Sequence, residues 1–525
     1  MTRQLIPVLA ALLVALPSPA QKSIVTTDMV GAAALPKGAP RAITAPFAMG
    51  TIEAPSFPDR SDGITRADIS RRGLITPAIN DKIAALSAAG GGTLVVPSGH
   101  WRSGRIVLRS NVNLQLAHGA VIEFSGETDD YQPAVFTRHE GVEVMGAGAF
   151  IYADSCENIA LTGEGTIMGP PMEAAMRQLP NGNSVVEKDI DWRMPVEMRL
   201  CDGSGELAFY RPKSFAPIRC NNVLVEGVTF ERSVLWNINP IYCDNVIIRG
   251  VTVNSTDVPS GDGIDISSCS NVLIEYCTLN CGDDCFTLKA GRCEDGLRVG
   301  RPTKNVVIRY CLAKDGHGGM TCGSETAGGI RNVYIHHCVF DGTRSGLRFK
   351  TRRNRGGRIS DITCDNLRFT NVREAFTWDL LGSPVYMGDL ARRDTTLSLT
   401  PLTPIVSGIN IGGFIVDNAD RLASLQGIPE VPCGDINIED GTVTTGVIFK
   451  TLADVNGLAL RNLTINATSG DITADNAANI LFDGCTLTLP ASTINLDILG
   501  DQPSTISVRP AGGQTTLLRQ GANPL

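Results

Sequence analysis

The chain has 525 residues, 19% of them charged, 5% aromatic and 43% hydrophobic, with 55 Gly, 15 Cys and 6 His. Charge this low and glycine this abundant exclude a disordered polar tail and a coiled coil, and fit a globular chain rich in turns. A net charge of -8, from 46 basic and 54 acidic residues, excludes a general nucleic-acid or membrane-surface binder and leaves only a local basic patch for an anionic partner.

Arg3, the apolar run Leu5 to Leu16 broken by Pro7, and Ser18-Pro19-Ala20 before Gln21 follow the order of a secretory signal peptide. The run is shorter than the roughly 20 residues that span a bilayer. Residues 1–20 are therefore expected to be removed, and the remainder to be secreted or periplasmic with no membrane anchor. Residues 21–60, rich in Pro, Ala and Thr, read as an extended lead-in. Thr76-Pro77, then Ala78 to Ala89, closed by Gly90-Gly91-Gly92, predicts a short helix. Such a helix would cover the open N-terminal end of a strand stack, which would otherwise expose its edges.

From Cys156 onward the sequence repeats. Cys156-Glu-Asn158, Cys220-Asn-Asn222, Cys243-Asp-Asn245, Cys269-Ser-Asn271, Thr303-Lys-Asn305, Ile330-Arg-Asn332 and Ile359-Ser-Asp361 each open an alternating apolar run. From Asn222 the intervals are 23, 26, 34, 27 and 29 residues. A second row keeps step: Trp236-Asn-Ile238, Ile264-Asp-Ile266, Phe286-Thr-Leu288, Met320-Thr-Cys322, Leu347-Arg-Phe349 and Phe376-Thr-Trp378. Two strand rows per short unit predict coils stacked in parallel, an all-β right-handed parallel β-helix. Propeller blades need about 40 residues each in four antiparallel strands, and leucine-rich repeats need a Leu and Asn spacing that is missing. The solenoid is expected over 61–510, with 511–525 as a tail, a polar insertion at 169–217, a second at 291–304, and weaker coils after about 400.

The cysteines fall on these rows, which predicts mostly buried thiols in the core. Secretion would permit disulfides, and Cys285–Cys311, bracketing one coil, is one candidate. Cys277, Cys281 and Cys285 lack the paired spacing of a zinc site, so no metal is expected.

Strand alternation turns Asp265, Asp283, Thr287, Lys289, His317, Arg348 and Lys350 to one outer face. Asp262 and Asp284 have inward parity but stand at glycine-flanked turns. Burying either carboxylate unpaired is costly, so both are expected to turn out into the groove. Three carboxylates in so small a space would raise the pKa of at least one, giving an acid beside ionised bases. Arg344, Arg348, Lys350, Arg352, Arg353, Arg355 and Arg358 form the local basic patch that the overall charge lacks. Arg348 and Lys350 suit a sugar carboxylate, while Arg352 to Arg358 read as a solvated loop.

At these residues the chain resembles glycoside hydrolase family 28, the polygalacturonase family, in its bacterial type. The motifs stand in order as Ser260-Gly261-Asp262-Gly263-Ile264-Asp265, Gly282-Asp283-Asp284, Gly316-His317-Gly318 and Arg348-Phe349-Lys350. The resemblance implies a secreted hydrolase of α-1,4-galacturonosidic linkages in pectin, acting as a monomer on an acidic polysaccharide without metal or cofactor. It implies Asp283 as general acid, Asp262 and Asp284 activating water for inversion, and His317 orienting the acid. Arg348 and Lys350 would bind the sugar carboxylate, and Tyr386 corresponds to a family substrate-contacting tyrosine; Asp265 and Lys289, on the same outer face, are read from their parity as further sugar contacts. Inversion asks for carboxyl groups roughly 6.5–9.5 Å apart. The first motif lacks the family's Asn and Thr, and Phe349 replaces an Ile at an inward site. Long insertions would wall off one end of the groove and make the action exo. The alternatives are a calcium-dependent lyase on the same kind of fold and a non-catalytic glycan-binding β-helix.

Overall fold

The computed structural model describes residues 23–178, 190–205, 207–500, 505–510 and 517–520. The expected signal peptide lies outside them. Among the described residues a sheet of 29 strands, parallel at every pairing, winds through the chain. With right-handed crossovers between parallel strands it forms the expected right-handed parallel β-helix. One continuous column of buried residues runs from Ile64 and Ile75 near the start to Ile494 and Leu496 near the end.

The repeated asparagine has a structural cause. Asn158, Asn222, Asn245, Asn271, Asn305 and Asn332 all take φ between 53° and 61°. Among residues with a side chain, Asn and Asp tolerate this left-handed corner best. Their amides also bond from coil to coil: Asn271 Nδ2 donates to Asn245 Oδ1 at 3.3 Å, Asn305 to Asn271 at 3.2 Å and Asn332 to Asn305 at 3.0 Å. Each corner therefore passes its hydrogen bond to the next, which fixes the register of the stack.

Helix α1 (Thr76–Ala88) buries Ile79, Ile83 and Leu86 against the first coil, as the sequence suggests. The lead-in crosses several coils on the outside, with Val25 N donating to Asn366 Oδ1 at 2.7 Å and Arg249 Nη1 to Gly38 O at 2.7 Å. After residue 400 the strands run round their corners unbroken, as in Ile405–Gln426 and Cys433–Arg461. Aspartates such as Asp435 and Asp454 take the left-handed corners there, so the asparagine signal fades while the coils persist. Leu517–Gln520 pairs in parallel with Thr493–Leu496.

All fifteen cysteines are buried free thiols. Cys285 does not pair with Cys311. The Cys285 thiol turns to the Asp315 carbonyl at 3.2 Å, whereas the Cys311 thiol faces the carbonyls of Arg309 and Ile274 inside the stack.

Candidate active site

Five consecutive strands build the site floor: β1 (Ile264–Ser267), β2 (Phe286–Lys289), β3 (Gly318–Cys322), β4 (Ser345–Lys350) and β5 (Val372–Asp379). Their register aligns Ile264, Phe286, Met320, Leu347 and Phe376 as the inward row. The residues between them face outward, and those at the strand entries sit on turns between coils.

The three acids meet at these entries. One carboxylate oxygen from each of Asp262, Asp283 and Asp284 lies within 4.8 Å of the others. This is closer than the separation expected for an inverting pair. Exposure separates their roles: the Asp283 side chain is 28% exposed, Asp262 5% and Asp284 0%. The expectation that Asp262 and Asp284 turn out into the groove is therefore corrected. They stay inside because cations reach them there. Asp284 accepts from Arg348 Nη1 at 3.1 Å and Lys350 Nζ at 2.7 Å, and Lys289 Nζ lies 3.7 Å from Asp262.

These environments push the two buried acids apart. Burial raises Asp262 well above the usual carboxylate range, and the charges of Asp265 and Asp283 add to it. Burial acts on Asp284 too, but Lys350 and Arg348 more than offset it and hold that carboxyl below its usual range. Their surroundings thus shift these two neighbouring carboxyls in opposite directions.

His317 Nδ1 lies 3.2 Å from Asp283 Oδ1. That contact is the main reason the imidazole is held protonated to higher pH than an ordinary histidine. Its charge is complete at acid pH and is lost as pH rises through the raised value. The flanking glycines are required by close approach. A Cβ on Gly316 would lie 2.7 Å from Cys285 Sγ and 2.8 Å from Asp283 O, and one on Gly318 would lie 2.6 Å from Asp284 Oδ1.

Asp265 does not face the groove. It is fully buried beside Lys289, with Nζ to Oδ1 at 3.4 Å, and burial pushes it up to about 7. Covering structure from outside the floor strands closes over this end, so outward parity there does not mean exposure. Lys289 is nearly as buried, 3.4 Å from Glu325 and 4.3 Å above the Trp236 ring, with its ammonium serving several acids. Tyr386 stands exposed on α3 (Pro384–Met387), whose first turn is capped by Ser383 Oγ accepting from Val385 N at 3.2 Å.

A recess of about 500 Å³ brings Asp262, Asp283, His317, Arg348, Lys350 and Tyr386 together. Lys289 shares its wall with residues that the motifs do not mark, including Trp236, Glu140, Arg292 and Glu325. Trp236 stands at the head of the second row, one coil before Asp262, and that position is the signal that points to it. Glu140 carries no sequence signal: it sits at the tip of an antiparallel hairpin formed by Val135–His139 and Val142–Gly146. This hairpin is tied to both insertions. Leu200-Cys201 adds to it as a third strand, and Arg199 pairs at 2.7 Å with Asp295 in α2 (Cys293–Val299).

The basic patch divides in two. Arg348 and Lys350 face the acids, as expected. Arg353 and Arg355 are not a solvated loop but are buried, Arg353 against Glu430 at 2.7 Å, while Arg358 is exposed. No helix among the described residues is long and apolar enough to cross a membrane.

The profile of glycosyl hydrolases family 28 matches residues 89–380. A probable polygalacturonase of Vitis vinifera is 28% identical over 401 residues, covering 74% of this chain and 75% of that protein. An exo-poly-alpha-D-galacturonosidase of Dickeya chrysanthemi is 24% identical, covering 57% of this chain and 53% of its own. Among solved structures, a hyperthermoactive exopolygalacturonase from Thermotoga maritima superposes with a TM-score of 0.69 at 30% identity, over 79% of this chain and 93% of that one. With its motifs standing in order on a parallel β-helix and the family profile matching more than half of it, the chain belongs to glycosyl hydrolases family 28 and is a glycoside hydrolase.

Proposed function

We propose that this enzyme hydrolyses galacturonosidic linkages of pectin or polygalacturonate by single displacement with inversion. The observation that carries the reading is three clustered aspartates of unequal exposure, set beside Arg348 and Lys350 at one open recess. Asp283 is the general acid because it alone of the three reaches well into the groove. Its proton goes to the leaving oxygen as the bond from that oxygen to the anomeric carbon breaks. Water attacks the anomeric carbon from the opposite face and gives its proton to the Asp262–Asp284 pair.

The proton that water gives to the Asp262–Asp284 pair then passes within the cluster to Asp283 and restores the acid. The close spacing of the acids favours this transfer. A covalent route through Asp284 is closed, since both of its oxygens are held by cations and it has no exposed surface from which to attack a sugar. Arg348 and Lys350 keep donors beyond those used on Asp284, and these suit the sugar carboxylate. The hairpin and insertions lining one end of the recess support removal of sugars from a chain end. Action as a secreted or periplasmic monomer completes the reading.

Digestion of polygalacturonate tests it. New reducing ends without unsaturated sugar, unchanged by calcium chelation, are expected. Unsaturated product that requires calcium would replace the hydrolase reading with a lyase. Binding without any turnover would support a glycan-binding role instead.

A further inference from the structure

The acid and its histidine begin a column that continues beyond them. Counting back from the Phe286–Met320 and Gly318–Ser345 pairs, Asp283 aligns with His317 and His317 with Arg344. The Ser345–Glu374 pair then aligns Arg344 with Arg373. Backbone bonds hold the alignment at the turns, with His317 N donating to Asp283 O at 2.9 Å, Arg344 N to Gly316 O at 2.8 Å and Glu374 N to Arg344 O at 3.0 Å. Coils stacked at about 4.8 Å therefore carry Asp283, His317, Arg344 and Arg373 in sequence along one edge of the groove.

Arg344 and Arg373 are exposed, and among the described residues neither guanidinium has a hydrogen bond or ion pair. The arginines around them are committed: Arg352 to Asp379 at 3.4 Å, Arg353 to Glu430 and Arg421 to Glu374 at 3.1 Å. A second recess of about 450 Å³ opens at this edge, lined by His317, Arg344, Arg373, Asn371 and Asp315. Among the described residues its lining holds one carboxylate, Asp315, against two arginines and the imidazole. Arg344 also lines the catalytic recess, so the two spaces share it and His317.

We propose that Arg344 and Arg373 form a second carboxylate-binding subsite, which holds a uronate one or more sugars away from the scissile bond. Two like-charged arginines at aligned positions on adjacent coils suit an anion between them, and a uronate carboxylate can accept from both. Arg373 lines only the second recess, whereas Arg348 and Lys350 line only the catalytic one and reach the buried acid. It confers a preference for long, unesterified acidic chains. This rests on the polygalacturonate reading above.

The test is Arg344→Ala with Arg373→Ala, both surface changes. KM on polygalacturonate is expected to rise about tenfold or more in the double variant, while Arg373→Ala alone, whose side chain lines only the second recess, raises it with kcat kept and changes KM on the shortest cleavable oligomer less than twofold. Calorimetry with trigalacturonate in the Asp283→Asn background reads binding apart from turnover and should show a similar weakening. Equal KM and equal binding in the presence and absence of the two arginines would overturn the subsite while leaving the hydrolase reading in place. A wild-type protein that binds through the arginines but cleaves nothing would do the reverse.

Discussion

Asp283→Asn is expected to lower kcat on polygalacturonate by roughly 10²–10⁴-fold, the usual contribution of a positioned general acid. The asparagine keeps the shape and can still face His317 Nδ1, 3.2 Å from the present carboxylate, but has no acidic proton to give the leaving oxygen. The side chain is 28% exposed and makes no core contact the amide cannot replace, so thermal unfolding should be almost unchanged. KM should also stay near its wild-type value, because Arg348 and Lys350 remain in place. Steady-state kinetics alongside a melting curve separates the two effects. Wild-type kcat in this variant would remove Asp283 from the mechanism.

Lys350→Met is expected to damage both stability and activity. Lys350 Nζ donates to Asp284 at 2.7 Å, and the carboxylate it serves has no exposed surface. Removing one partner of a buried charge costs the desolvation that the partner had offset, about 1–3 kcal/mol here because Arg348 still contributes a bond. The sign with pH follows from the lowered pKa of Asp284. A depressed carboxylate contributes stability that is present above its unfolded value, near 3.9, and is lost as pH falls through its folded value. The gap between variant and wild type should therefore be full at pH 7 and shrink as pH falls below about 4. Urea unfolding at the two pH values measures it. Equal stability at pH 7 would mean that Arg348 alone satisfies Asp284.

How much of this was legible in the sequence depends on which forces are local. The coil corners were legible because a left-handed φ narrows the choice of residue, and the same choice returned at Asn222, Asn245 and Asn271. The Gly-His-Gly motif was legible for a related reason, since Asp284 Oδ1 and Cys285 Sγ leave no room for a Cβ on either side of His317. Burial at the site was not legible. Counting parity put Asp265 and Lys289 on the outer face, and that face is covered at this end by residues from elsewhere in the chain. The depth of Asp262 and Asp284 depends on cations that lie beyond local spacing, Lys289 for one and Arg348 with Lys350 for the other. Arg353 looked like one more exposed arginine because its partner, Glu430, is 77 residues away. The Glu140 hairpin, whose tip lines the recess, has no repeat to announce it.

The most direct measurement is the anomeric form of the first product, followed by proton NMR during early digestion of polygalacturonate. Water attacking opposite the departing oxygen of an α linkage must give the β anomer first, with the α anomer growing in only by mutarotation. Initial appearance of the α anomer would contradict the account, because retention requires a carboxylate free to bond the sugar, and in this site the one lying deepest is held by Arg348 and Lys350.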